Sequence, residues 1–299
     1  MTLKGWVIYN GHLPGPKFKD FAEWIREAGE KQGTDIAIIP NDHLLSFHAE
    51  NGPTILQKEK TNFPDFVLYS DKDIPLARTI ETMGIPVFNS SHSIELSDNK
   101  IETYQRLAAH HLPIPRTMVA PKVFSGSLQA ETFLSVPEFF TFPFVVKEAF
   151  GSFGEQVYLV HTEEELQQKL LDISNRPFIL QEFIETSYGR DLRLNVVGDQ
   201  VVAAMERTSD NDFRANVSAG GIMKPHTPTA QEKELAIQAT KAIGADFAGV
   251  DLLFGKDGYP IICEINSNAH IRNIFDCTGI NVADYIVSYV LNQVNRGKK

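Results

Sequence analysis

Short apolar runs and longer amphipathic stretches alternate through the first hundred residues. The runs GWVIYN, TDIAIIP, FPDFVLYS and GIPVFN read as strands, while 18–31 and 74–83 repeat their apolar positions at helical spacing. Strands that alternate with helices predict a small parallel sheet with helices packed on it. Ser97-Asp98 reads as an N-cap pair opening a helix to about His110, and Pro113 and Pro115 stop it before a linker.

From Thr117 the texture changes to strands joined by hairpins. FPFVVKEAF and EQVYLV flank a loop containing glycines, a helix is expected over 163–173, and PFILQEFIE follows as a buried strand. This sheet reads as antiparallel. In LRLNVVGDQVVAAMER the pair Gly198-Asp199 separates two apolar runs and predicts a hairpin turn. A helix over 230–243, the strands AGVDLLF and YPIICEIN around GKDG, and a helix over 282–295 complete the chain. The pattern divides into an N-terminal α/β domain (1–97), a central unit with the glycine-rich loop (98–185) and a C-terminal unit (186–299). The fold class expected is α/β and α+β.

Composition narrows the function. A chain of 299 residues suits two or three domains sharing a cleft, and 42% hydrophobic with 22% charged residues excludes a disordered chain. With 28 Lys plus Arg against 38 Asp plus Glu, the net charge of −10 argues against a nucleic-acid partner. Cys263 and Cys277 are the only cysteines, too few for a disulfide framework or a four-cysteine zinc site, which fits a cytoplasmic setting. No stretch reaches the roughly 18 to 20 apolar residues that span a bilayer, so no membrane partner is expected.

The sharpest chemical inference comes from AGVDLLFGKDGYPIICEIN. If Asp257-Gly258 is a two-residue turn, Lys256 pairs with Tyr259, and counting outward sets Asp251 opposite Glu264. Asn266 lies two residues beyond Glu264 and shares its face. Like charges directly opposite on a sheet repel, so a cation belongs between them. Two carboxylates and an amide oxygen are hard ligands that suit Mg²⁺ beside nucleotide phosphates. The alternative at this point is a solvated hairpin end.

Other segments carry weaker signals. In FVVKEAFGSFGEQV, Lys147 ends an apolar strand ahead of Gly151, Ser152 and Gly154, a loop whose backbone N–H groups can approach phosphate oxygens. Ordinary hairpin-tip glycines would look the same. PFILQEFIE brings Gln181, Glu182, Phe183 and Ile184 to a strand end that can bond an adenine rim, and DFRANVSAGG adds Arg214 and Asn216.

In order along the chain, Asn99-Lys100, VVKEAFGSFG, LQEFIE, GRDLRLNVVG, DFRANVSAGG, AGVDLL and CEINSN resemble the ATP-grasp superfamily, and within it the ribosomal-protein glutamate-ligase (RimK-like) group of carboxylate–amine ligases. The resemblance runs from about Asp98 to the end. It implies two α+β subdomains enclosing ATP behind an N-terminal α/β domain. It places Lys100 and Lys147 on phosphates, with Ser152 in the loop beside them, Glu182, Phe183 and Ile184 at adenine, Asp191 at ribose, and Arg214 and Asn216 at phosphates or metal. Asp251, Glu264 and Asn266 become ligands of two Mg²⁺, with Mn²⁺ as a substitute.

The activity implied is amide formation through an acyl phosphate, adding an amino acid such as glutamate to a small molecule or peptide, with Arg214 and Lys147 in catalytic roles. Small-molecule or peptide carboxylates and amines are then the partners, and a homo-oligomer is compatible with the pattern. A regulatory protein that binds ATP without turnover, and an ATP-grasp phosphotransferase, are the alternatives. Cys263 reads as a core filler. Where close relatives of the ribosomal-protein ligases carry Ser-Pro-Gly, this chain has Asn268-Ala269-His270, so the acceptor is not implied. His270 and Arg272 either receive a substrate carboxylate or contact the backbone of a helix start.

Overall fold

The computed structural model describes residues 2–297 except 14, 16, 60, 127, 129, 134–138, 140, 152, 153, 174 and 216–220; at 17, 18, 130 and 131 it describes the backbone alone. The first third contains β1 (Lys4–Tyr9), β2 (Asp35–Pro40), β3 (Leu44–Ala49), β4 (Gly52–Gln57), β5 (Phe66–Ser70) and β6 (Val87–Phe88). Four of these form the expected parallel sheet in the order β2-β1-β5-β6. Helices Lys17–Lys31 and Ile74–Thr82 accompany it, and Asp73 caps the second by accepting from the Leu76 N–H.

β3 and β4 form a hairpin with no counterpart in the sequence reading. It buries Leu44 and Ile55 in the same core as Ile80 while Leu45, Phe47 and Leu56 stay exposed. The expected N-cap at Ser97-Asp98 is corrected as well. A helix already runs over Ser91–Asp98, capped by Ser90, and Asn99 then breaks it and caps Lys100–Ala109 by accepting from the Ile101 N–H at 3.1 Å. The expected helix to about His110 thus stands with its cap at Asn99, and the helix before it is unforeseen.

The central sheet comprises β7 (Thr117–Val119), β8 (Phe144–Glu148), β9 (Val157–Val160) and β10 (Phe178–Glu182), all antiparallel in the order β7-β10-β8-β9. Its helix, Glu163–Ile173, buries Leu166, Leu170 and Ile173 against Phe144, Val146 and Phe178.

The C-terminal sheet comprises β11 (Arg190–Val197), β12 (Gln200–Thr208), β13 (Ile222–Pro225), β14 (Phe247–Phe254) and β15 (Pro260–Asn266), in the order β13-β12-β11-β14-β15. Gly198-Asp199 is the two-residue turn between β11 and β12. Gly198 has φ of 57°, and a Cβ there would lie 2.7 Å from the Tyr289 ring, so both backbone and space demand glycine. Helix Ala230–Ala242 opens with a capping box formed by Thr229 and Glu232. Helices Arg272–Thr278 and Val282–Gly297 follow, the first present in the sequence reading only as the alternative of a helix start at His270 and Arg272.

One face of this sheet and the N-terminal sheet share a core. Val7, Phe21, Ile25 and Phe66 join Val197, Met205, Phe247, Ile286 and Val290 in one buried cluster. Among the described residues no single helix is long and apolar enough to cross a membrane.

Candidate active site

β8 delivers Lys147 and the helix starting at Lys100 delivers a second ammonium beside it. The Lys100 backbone N–H donates to Ala149 O at 2.9 Å, and its Nζ reaches Gly151 O at 3.3 Å, so the helix start abuts the glycine loop. Lys147 is buried, with Nζ 3.4 Å from Tyr104 Oη and 3.9 Å from Cys263 Sγ. Burial opposes its charge, but Cys263, Tyr104 and Glu264 more than offset that and hold its pKa above the lysine norm. Burial lowers the pKa of Lys100, and the charge of Lys147 adds to the lowering while Glu264 opposes it. Two cations brought together with one carboxylate make a seat for a further anion. Burial pushes the Cys263 thiol up to about 11, so it stays protonated and is no nucleophile at neutral pH.

The carboxylate face lies on β14 and β15. Asp251 pairs with Glu264, as counting anticipated, but two departures from the assumed geometry cancel. Gly255 N–H donates to Tyr259 O at 2.8 Å, closing a turn of three residues with Asp257 at φ 56° and Gly258 at φ 76°. Pairing then runs Phe254↔Pro260, Leu253↔Ile261 and Leu252↔Ile262, until a bulge at Cys263 restores Asp251↔Glu264.

The cations on Asp251 are arginines that the sequence reading did not single out. Arg193 donates from Nε to Oδ1 and from Nη2 to Oδ2 at 2.7 Å, and Arg207 adds Nη2 at 2.9 Å. Arg207 also forks onto Asp191, with both bonds at 2.7 Å. Burial would raise the Asp251 pKa, yet the two guanidiniums hold it below the carboxylate norm. Asp191 is pushed up by burial despite Arg207. Asp191, expected at ribose, is thus buried with its oxygens on Arg207. The signal was present: Arg193 follows Asp191 by two positions in GRDLRLN and shares its face.

The adenine-side residues gather at the end of β10. Glu182 accepts from Arg116 Nη2 at 3.1 Å and from the Arg116 N–H at 3.2 Å, and those bonds lower its pKa against the opposing effect of burial. Phe183 meets Tyr188 and Phe213 edge-on at 6.2 and 6.1 Å, and Ile184 is half-buried beside it. Arg214 pairs with Asp212 at 2.7 Å and donates from Nη1 to Gly154 O, tying its loop to the glycine loop. Ser152 and Asn216 lie outside the described residues. Arg272 is turned away: it pairs with Asp20 and stacks 4.6 Å from the Trp24 ring centroid.

A divalent cation fits part of this set. Glu264 has no hydrogen bond or ion pair among the described residues, and Asn266 Nδ2 is buried without a partner, as when the amide oxygen alone is to be used. Asp251 can join them only where a guanidinium withdraws. Among the described residues no cluster of three or more His, Cys, Asp or Glu is arranged to hold a metal, so the site depends on the Asn266 oxygen.

Residues 97–290 match the RimK-like ATP-grasp domain. Human N-acetylaspartylglutamate synthase A is 33% identical over 81% of this chain and 63% of its own length. The probable alpha-L-glutamate ligase of Haemophilus influenzae is 32% identical over 89% of this chain and 91% of its own. The structure of the ATP-grasp ligase PsnB, complexed with a precursor variant, Mg and ADP, superposes with a TM-score of 0.71 at 17% identity, covering 98% of this chain and 99% of that one.

Proposed function

Because the chain belongs to the RimK-like ATP-grasp family and is an ATP-grasp ligase, we propose that it joins the amine of an amino acid, glutamate in the first instance, to the carboxylate of a small molecule or peptide, consuming ATP. The observation that carries this reading is the convergence of Lys100, Lys147 and Glu264 from three separate elements, with Lys100 Nζ reaching Gly151 O. Both relatives compared have glutamate in their names, which supports glutamate as the amine. The chain spans 63% of the human synthase, so the whole activity of that protein is not carried over.

Lys100 and Lys147 neutralise phosphate oxygens while a carboxylate oxygen bonds to the γ-phosphorus and the bond to ADP breaks. The amine then attacks the acyl carbon, loses a proton, and inorganic phosphate departs with the C–O electron pair. Arg214, which donates to Gly154 O, offsets the oxyanion. Glu264, Asn266 and a freed Asp251 would hold magnesium, which when bound offsets charge on the triphosphate; the two unpaired oxygens of Glu264 support two ions, and manganese can replace them.

The test is incubation with ATP, Mg²⁺, glutamate and a pool of carboxylates, followed by mass analysis. ADP formation that requires both substrates, with a product lighter than their sum by one water, is expected. A phosphorylated product, or tight ATP binding without ADP, overturns the reading.

A further inference from the structure

Arg193 and Arg207 both touch Asp251, but they are held differently. Arg207 bonds two carboxylates, and its side chain is 6% exposed; among the described residues Arg193 bonds Asp251 alone, and its side chain is 16% exposed. Arg193 is therefore the one that can leave without stranding a second acid. Its stem crosses β14 over Gly249, where a Cβ would come 3.2 Å from Arg193 Cδ and 2.5 Å from Ala269 Cβ. The missing side chain gives the arginine its path, and that path borders the loop after Asn266.

Resting on the ligase reading above, we infer that Arg193 is an exchangeable counter-ion that closes the Asp251 metal position until a divalent cation displaces it. A forked guanidinium and a divalent cation use the same carboxylate lone pairs, so they compete. A buried carboxylate left with neither would be strongly destabilising. The exchange keeps Asp251 compensated throughout and frees a guanidinium beside the loop after Asn266 only after the metal has arrived.

The test is calorimetric titration of Mg²⁺ in the presence of saturating AMPPNP. Arg193→Gln is expected to bind Mg²⁺ about tenfold more tightly than the wild-type chain, because a two-bond competitor is gone. Arg193→Lys, which keeps the charge but loses the fork, should tighten binding less. Lys72→Gln removes a cation that pairs with Asp98 rather than Asp251 and should leave Mg²⁺ affinity unchanged. Equal or weaker Mg²⁺ binding by Arg193→Gln overturns the inference, as does equal tightening in Lys72→Gln, which would make the effect one of general charge. Should Arg193→Gln be less stable, its thermal midpoint still reports: the rise on adding Mg²⁺ and AMPPNP should exceed that of wild type. A smaller rise counts against the exchange. Wild-type binding that Glu264→Gln abolishes, with no tightening in the Arg193 variants, overturns the exchange alone. If wild type binds no Mg²⁺ with AMPPNP, or Glu264→Gln binds it equally well, the metal assignment fails and the exchange with it.

Discussion

An ammonium buried as deeply as Lys147 persists because its neighbours are arranged for it: Tyr104 at 3.4 Å and the nearby carboxylate of Glu264. Replacing it with Met keeps the volume and removes the charge. Lys147→Met should fold, since no partner of Lys147 is left as a buried unpaired ion, and should weaken nucleotide binding by about tenfold or more, since a desolvated cation on phosphate is lost. Equilibrium binding of a fluorescent ATP analogue checks this. Glu264→Gln removes the one carboxylate facing both lysines, and turnover should fall by about a hundredfold or more, measured as ADP release. The pairing of Asp251 with Glu264 was legible in the sequence, and so was the shared face of Asp191 and Arg193, but Arg207 was hidden by register. Counting outward from Gly198-Asp199 without interruption would set Asp191 opposite Glu206. A bulge at Asn195/Val196 brings Arg207 there instead, turning an apparent repulsion into a salt bridge.

Strands and helices with strong periodicity were readable: 163–173 is a helix with the expected bounds, and the strands of the parallel sheet fall where the apolar runs predicted. What escaped were elements stabilised by contacts rather than pattern. In the hairpin β3–β4, exposed Ser46 and His48 share the face of buried Leu44 and Ile55 while Leu45, Phe47 and Leu56 face outward, so the alternation does not mark an apolar buried face. Helix Arg272–Thr278 is seven residues long, too short to declare a period, and is held by Ile274 in the shared core. The turn into β14 carries a measurable signature. Burial raises the pKa of Asp246 to about 6, its Oδ1 accepting from Tyr289 Oη at 3.0 Å. A carboxylate whose pKa is raised on folding binds its proton better in the folded state, so its cost is absent below pH 4, grows from there to about pH 6 and is full above. Asp246→Asn keeps the acceptor and removes the charge. It should stabilise the protein by about 1 to 2 kcal/mol at pH 7, allowing for partial solvent screening, and by nothing near pH 3. Urea melts at the two pH values decide it.

The three sheets are not equally joined. The N-terminal and C-terminal sheets contribute many residues to a single buried cluster, whereas the central sheet packs one face around Phe144, Val146, Phe178 and Leu180 and meets the C-terminal sheet through Ile179, which lies in one cluster with Leu192, Val250 and Ile262. Asn89, fully buried, fastens the first pair further: its Nδ2 donates to Phe247 O at 2.8 Å and Ser267 O at 3.0 Å, and its Oδ1 accepts from the N–H groups of Asp246 and Phe247. Ser267 directly follows the strand that carries Glu264 and Asn266, so this clamp also sets the position of the metal-facing strand. Asn89→Ala would leave four buried backbone groups unpaired and should cost about 3 to 4 kcal/mol at roughly 1 kcal/mol per group. A core held in common unfolds in common, while a sheet joined to its neighbour by few buried side chains can open at lower cost. Amide exchange should therefore show residues of β5, β11 and β14 protected to one similar free energy and those of β8 and β10 exchanging through a lower one. In Asn89→Ala the first group should lose protection together and the second remain unchanged. Equal loss in all three sheets would mean that the contact through Ile179 is enough to make the central sheet unfold with the other two.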